Sequence, residues 1–514
     1  MKRLMFNLFI GCAFYGISEA QVARSYRLST GSLTFLLPSN SVNELVASGD
    51  TIWAGTSRGL GITATAGTTW EHFGSVPPLK ASSVASIAVR GPIVWVAHAT
   101  STDAGDESLP TGDGLFRSTD GGSTWTAFPQ PVDVGTVDST EYGVNWIATL
   151  NITTAVNNIT YDIAIGPGTV WTANYAGMLR KSVDSGATWT RVVLPPDSRD
   201  SIRPTDSLDF DLAPTGGRLG LRQNLNHRVF SVLVASDSSV WVGTAGGINR
   251  STDGGKSWRR FSHQNQARSI SGNFVVAIRE QLKPGGRTIW AATVNAESPD
   301  ETRGISWTDN EGATWQTALL GEFAHNIAFK DSIAYIATDN GLYRTSDGGD
   351  SWLRSGAVVD NIAHQRLAMT EVITVAVHGD TVWIGTPDGA AWTLDTPSSS
   401  FGSIWRIMRT AISVAPSVET YAYPLPFSPD DEVVRIHYAI PSTGVGNVTI
   451  RIYDFAMLPV RTLVAGVQRN PGTQVDEIWD GTTDDGRRAS NGVYFYRLEL
   501  DGGEPVWGKI LVLQ

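Results

Sequence analysis

The stretch RSTDGGSTWTAF, residues 117–128, decides the fold because it returns with small edits: KSVDSGATWTRV at 181, RSTDGGKSWRRF at 250 and RTSDGGDSWLRS at 344. Counted back from its tryptophan, a glycine stands at three residues and a hydroxyl at seven. That pairing holds at Trp70, Trp125, Trp189, Trp258, Trp315, Trp352 and Trp405, with hydroxyls from Thr63 through to Ser398. Five residues back lies Asp120, Asp184, Asp253 or Asp347 in four copies, and Thr65, Asn310 or Ser400 in the rest. An aspartate there can accept backbone N–H groups a few residues on and close an Asx-type turn. Glycine supplies a positive φ, and the tryptophan offers a large face to pack between sheets. A reaction needs one constellation, so seven copies read as structural turns.

A second motif precedes each turn. TIWAGTSRGL at 51 matches SVWVGTAGGI at 239 and TVWIGTPDGA at 381, with looser copies between them. Each unit reads as four short strands with period-two alternation, bounded by Gly, Asp, Asn or Ser. Four-stranded units repeated at this interval are propeller blades. The expected fold is all-β: a seven-bladed β-propeller over 21–412, followed by a small Ig-like antiparallel sandwich over 413–514. An early strand at 25–37 is expected to close the ring against the last blade, because an open sheet edge invites pairing. The S-x-D-x-G-x-T-W motif resembles the Asp-box of sialidases, sortilin-type receptors, xyloglucanases and a photosystem assembly factor. That resemblance implies the propeller and leaves function open, since such boxes occur in enzymes and binding proteins alike.

After about residue 415 the repeat stops. Tyr423, Pro424, Pro426 and Phe427, then Ile452–Tyr453–Asp454, Trp479–Asp480–Gly481, Asp485–Gly486 and Gly492–Tyr496 follow in order. These positions resemble the Ig-like domain of flagellar hook-capping proteins and the C-terminal sorting domains of type IX secretion cargo. The resemblance implies that 413–514 engages the type IX secretion machinery; an ordinary Ig-like spacer is the alternative. At the other end, MKRLMFNLFIGCAFYGISEA (1–20) has the charged, apolar, small-residue order of a secretory leader. The single cysteine, Cys12, lies within it and is the residue a lipoprotein reading would use. With no cysteine after the leader, disulfides and thiolate chemistry are excluded there. No later stretch is apolar enough to cross a bilayer as a helix, and a net charge of −11 argues against nucleic acid as partner. The expected location is the cell surface or exterior of a Gram-negative bacterium.

In a propeller blade, the turn between third and fourth strands opens on one face. The second–third turns and the connections between blades open on the other. The repeats lengthen at 99–113, 129–146, 194–227 and 294–303, all expected opposite the boxes, where loops on a rigid scaffold bind ligands. The candidate ligand-binding residues are Asp103, Asp106, Tyr142, Trp146, Arg199 and Phe210, and the candidate catalytic carboxylates Asp162, Asp206 and Asp209. Carboxylates with aromatics suit a glycan or a surface protein. No cofactor is expected, Ca²⁺ being the one cation such acidic loops suit. The sequence shows no histidine-based metal spacing, nucleophile elbow or phosphate loop. Sialidases place an Arg-Ile-Pro element before the first box, and none precedes Thr63. The leading reading is a non-enzymatic binding protein. The alternative is a glycoside hydrolase with paired carboxylates on the same face.

Overall fold

The computed structural model describes residues 24–27, 33–34, 36–73, 77–104, 107–136, 138–215, 220–363, 365–367, 369–410, 420–430, 432–440, 446–500 and 504–513. The leader expected at 1–20, with Cys12, and Asp106 lie outside them.

Seven antiparallel sheets follow one another at 42–72, 83–128, 160–191, 229–261, 274–318, 324–354 and 374–408. Within each, four strands pair in sequence order; in the first they are Val42–Ser48, Thr51–Thr56, Gly59–Thr63 and Trp70–His72. The first strand of every sheet packs on that of the next, and Thr374–His378 of the seventh packs on Val42–Ser48 of the first. The ring is therefore closed, with first strands around a central channel and fourth strands at the rim. This is a β-propeller.

Closure departs from the expectation for the N-terminal segment. Arg24–Arg27 pairs with the fourth strand of blade 2 and Leu33–Thr34 with that of blade 1, so both are fifth, outer strands. Blade 7 takes all four of its strands from 374–408 and leaves no place for an early strand.

Two tryptophans make five of the joints between blades; from blade 6 to blade 7, Tyr335 takes the second-strand place and meets Phe401 at 5.9 Å. The second-strand Trp53 of blade 1 meets the turn Trp125 of blade 2 edge-on, with centroids 6.4 Å apart and planes at 75°. Trp95 meets Trp189 at 6.1 Å, Trp241 meets Trp315 at 6.4 Å, and Trp290 meets Trp352 at 6.4 Å. Across the closure, Trp383 of blade 7 meets Trp70 of blade 1 at 6.4 Å. Edge-to-face packing suits the aromatic quadrupole. The turn glycine lies on the same ring: Gly122 has φ +98°, and a Cβ there would stand 2.8 Å from Trp53.

The turn itself is a closed hydrogen-bond circuit. Ser118 Oγ donates to Asp120 Oδ1 (2.8 Å) and accepts from Gly122 N (2.8 Å), while Thr124 N donates to the same Oδ1 (2.8 Å). Ser182 with Asp184, Ser251 with Asp253 and Thr345 with Asp347 repeat it. Blade 7 differs. Gly402 N donates to Thr393 Oγ1 (3.2 Å), nine residues back, where Gly122 reaches a hydroxyl four residues back. Thr393 pairs with Val382 as Ser118 pairs with Val94, so Thr393, not Ser398, is the turn hydroxyl of a longer turn.

Residues from Thr420 onward form two sheets, one of three strands and one of four, around a core that includes Ile436, Ile450, Trp479 and Tyr496. This sandwich sits on the propeller through second–third strand turns. Arg58 in blade 1 pairs with Glu432 at 3.1 Å. In blade 7, Asp388 pairs with both Arg409 (2.8 Å) and Arg435 of the sandwich, and all three side chains are buried. Asp476 of the sandwich, whose charge also acts on both guanidiniums, supplies the second negative charge that two buried cations require. The sandwich thus covers the long-loop face over blades 7 and 1. Among the described residues no helix is long and apolar enough to cross a membrane.

Trp383→Ala empties the joint that closes the ring and should lower the unfolding free energy in urea by about 3–5 kcal/mol. Asp120→Ala, at an exposed turn, should lower it by less.

Candidate functional site

A β-bulge near the start of the first strand positions what lines the channel. Register shifts fall between Val42 and Glu44, Val84 and Ser86, Thr160 and Asp162, Val229 and Ser231, Val275 and Ala277, and Ala324 and Asn326. A bulge adds one residue and re-aims the side chains beside it.

The residue just past the bulge reaches toward the neighbouring blade. Glu44 Oε2 accepts from Ile87 N (3.1 Å) and Asp162 Oδ2 from Val232 N (3.0 Å); in blade 7, whose first strand has no register shift, Thr374 Oγ1 accepts from Leu45 N (3.0 Å). Ser231 Oγ donates to Val275 O (3.4 Å), and Asn326 Nδ2 to Thr374 Oγ1 (3.3 Å). All but the Asn326 bond, which goes to a side-chain hydroxyl, give partners to buried backbone atoms. Asp162, a candidate carboxylate from the sequence, does line the channel, a cavity of about 620 Å³ shared by first strands of all seven blades. Its oxygens are taken by Ile163 N, Val232 N and Arg279, the last at 3.4 Å. Arg279 also stands 3.7 Å from Glu44. Burial, then the charge of Asp162, pushes the Glu44 carboxyl up to about 8, against the pull of Arg279. Burial also raises Asp162.

The bulged residues themselves stand at the channel mouth on the long-loop face, and in blades 3 and 4 they are aromatic. Tyr161 meets Phe230 at 5.3 Å, and Phe230 meets Phe274 of blade 5 at 4.4 Å. Tyr175, from the second–third turn of blade 3, reaches Phe230 at 6.0 Å. The Arg228 guanidinium lies 5.7 Å from the Tyr175 ring, a cation–π distance. Tyr161 remains 38% exposed, and burial holds its phenol above the usual range, so it is a neutral donor at physiological pH. The long hairpin of Ile93–Ala104 and Glu107–Ser118 walls one side: Asn157 N donates to Pro110 O (2.7 Å) and Ala176 N to Asn157 O (3.2 Å). The segment expected as a loop insertion at 99–113 is thus mostly strand. Rings from three adjacent blades, one guanidinium and two phenol hydroxyls thus meet at this mouth. This mouth faces away from the blades the sandwich covers.

The other sequence candidates do not gather there. The connection between blades 2 and 3 folds as a hairpin, Ser139–Tyr142 with Asn145–Ala148, that runs down the rim to the turn face. Tyr142 is buried, and its hydroxyl donates to Lys256 O (2.5 Å) in the blade 4 turn. Trp146 is exposed on that hairpin. Asp206 accepts from Arg203 N (2.7 Å) and Asp209 pairs with Arg222 (3.0 Å) in the adjoining segment. Phe210 is buried beside His227, Arg199 is exposed with its guanidinium near Ser207 O (3.4 Å), and Asp103 sits near the tip of the blade 2 hairpin, opposite Ser108. These connections are long because they wrap the rim of blades 3 and 4, not because they crowd one mouth. The sequence signal for the aromatic mouth is an aromatic at the start of the first strand in three successive repeats. The bulge hides it by breaking the period-two alternation.

No family model matches the chain. A curated protein named sialidase from Bacteroides fragilis (strain YCH46) is 27% identical over 275 residues, covering 46% of this chain and 47% of that protein. The chain therefore spans about half the length of the curated relative it matches. Among solved structures, YCF48 from Cyanidioschyzon merolae overlaps 71% of this chain and 98% of its own at 18% identity and a TM-score of 0.43. PorZ, a surface component of the type-IX secretion system of Porphyromonas gingivalis, overlaps 92% and 75% at 14% identity and a TM-score of 0.25. At values this low the architecture rests on the strand pairing itself.

Glu44 gives a pH signature. Its folded pKa of about 8 lies above its usual 4.5, so its contribution to stability is full below 4.5 and lost as pH rises through 8. Thermal midpoints of the wild type should fall across that interval relative to Glu44→Gln, and a constant difference between the two would contradict this environment.

Proposed function

We propose that the chain is an exported, surface-located Asp-box propeller that binds a glycan at the aromatic mouth on its long-loop face. The observation that carries this reading is the Tyr161–Phe230–Phe274 stack with Tyr175 and Arg228 beside it. A sugar ring has an apolar C–H face and a hydroxyl rim, a match for aromatic faces edged by a few polar groups. Export is supported by the leader pattern at 1–20, and delivery by the likeness of 413–514 to type IX sorting domains. In the latter role the sandwich is the part read by the secretion machinery.

A glycan array with the mature chain, read beside Phe230→Ala and Trp146→Ala, tests the site. Phe230→Ala should weaken binding at least tenfold, while Trp146→Ala, on the rim, should leave it unchanged. Equal binding by Phe230→Ala would move the site elsewhere, and a surface protein as ligand would give an array with no positive sugars.

The second reading, a glycoside hydrolase, draws on the sialidase relative and on a carboxylate pair in the channel, Glu44 and Asp162. Glu44 holds a proton near neutrality beside Asp162, an arrangement in which one carboxyl can donate and the other stabilise. A polysaccharide hydrolysis screen decides it: turnover removed by Glu44→Gln supports an enzyme, and none is expected because both groups hold the blades together.

A further inference from the structure

The bulged residue of blade 6 is His325, an imidazole rather than a phenyl or phenol ring, and the fold brings two carboxylates to it. Its Nε2 stands 2.7 Å from Asp339 Oδ1 and 4.0 Å from Glu371 Oε1. One donor atom from each of the three lies within 4.8 Å of the others. We propose that His325, Asp339 and Glu371 form a divalent-metal site of the Zn²⁺ class on the long-loop face, with coordination positions left open to a further ligand.

Geometry supports this. Ligands about 2.0–2.2 Å from a tetrahedral Zn²⁺ are about 3.3–3.6 Å from one another, and the separations of 2.7 and 4.0 Å bracket that spacing. Reaching it takes only side-chain adjustment, because the backbone under each ligand is already held. Asp339 N donates to Phe323 O (3.1 Å), two residues before His325. Val372 N donates to Thr338 O (2.9 Å) and Thr370 Oγ1 to Asp339 O (3.2 Å), which fixes the backbone on both sides of Glu371. Each ligand comes from a different segment: the first strand of blade 6, its second–third turn, and the connection into blade 7. Backbone hydrogen bonds beside each ligand hold the set in place for an ion.

The donor set selects the metal. One imidazole with two carboxylates is a nitrogen–oxygen set that suits Zn²⁺, whereas Ca²⁺ takes six to eight oxygens. Both carboxylates approach the same ring nitrogen, His325 Nε2, the atom that would bind the ion. The Asp339 side chain is 45% exposed and that of Glu371 32%, so the remaining positions open to solvent on the face that carries the aromatic mouth. Three protein ligands with an open side is the arrangement of a metal that engages an exogenous donor.

Isothermal titration of the untagged mature chain with Zn²⁺ and, separately, Ca²⁺ tests this, with bound metal counted by mass spectrometry after dialysis. One Zn²⁺ per chain is expected, held at least tenfold more tightly than Ca²⁺. His325→Ala and Glu371→Gln should each weaken Zn²⁺ at least tenfold, while His378→Ala on blade 7 should not. Zn²⁺ should also raise the thermal midpoint of the wild type and not of His325→Ala; the midpoints of both variants in chelator show that they fold. Zn²⁺ retained by both variants, a preference for Ca²⁺, or no bound metal would overturn the assignment.

Discussion

The contact between a second-strand aromatic of one blade, tryptophan in all but blade 6, and the turn of the next sets the ring. It needs three residues at once: the two rings and a glycine with positive φ, whose missing Cβ lets the turn lie on the neighbouring ring. Trp53, Gly122 and Trp125 show the arrangement, and Trp383 with Trp70 carries it across the closure. Because these joints make the ring, no N-terminal strand is needed to lock it, and the early strands add to blades 1 and 2 instead. The aspartate of the turn acts locally: it holds the loop that presents the glycine and tryptophan.

A second constraint follows from the first. With seven sheets converging on an axis, the first strands crowd, and a bulge near the start of six of them relieves the pairing. Each bulge leaves two consequences. The residue past it turns toward the next blade, which is why Glu44, Asp162, Ser231 and Asn326 hydrogen-bond across blade boundaries. The bulged residue stands at the mouth, free of that duty, and is where the blades differ: Tyr161, Phe230 and His325 occupy the same place in their repeats. Structural uniformity and local chemistry are thus separated by one position in the chain.

This separation explains which features are legible in the sequence alone. Glycine and tryptophan at fixed spacing made the blades legible, since each has a local reason to be where it is. Blade 7 escaped in part, because its turn is longer and Thr393 replaces the hydroxyl expected at Ser398. The site was less legible. Length and acidity of the connections drew attention to Tyr142, Trp146, Asp206, Asp209 and Phe210, yet those connections wrap the rim, and two of the aromatics are buried in it. Asp162 was found from its place at a strand start, but its carboxylate serves the neighbouring backbone. Tyr161, Phe230 and Phe274 are far apart in sequence and meet only because three blades converge. His325, Asp339 and Glu371 show no motif spacing for the same reason.

Hydrogen–deuterium exchange of the mature chain, with and without the array glycan it binds most tightly, tests the central claim most directly. Protection is expected in peptides covering Tyr161, Tyr175, Phe230 and Phe274, with the turns around Asp120, Asp184 and Asp253 unchanged. Protection confined to those turns, or to the rim hairpin carrying Trp146, would contradict a binding site at the bulge-ringed mouth.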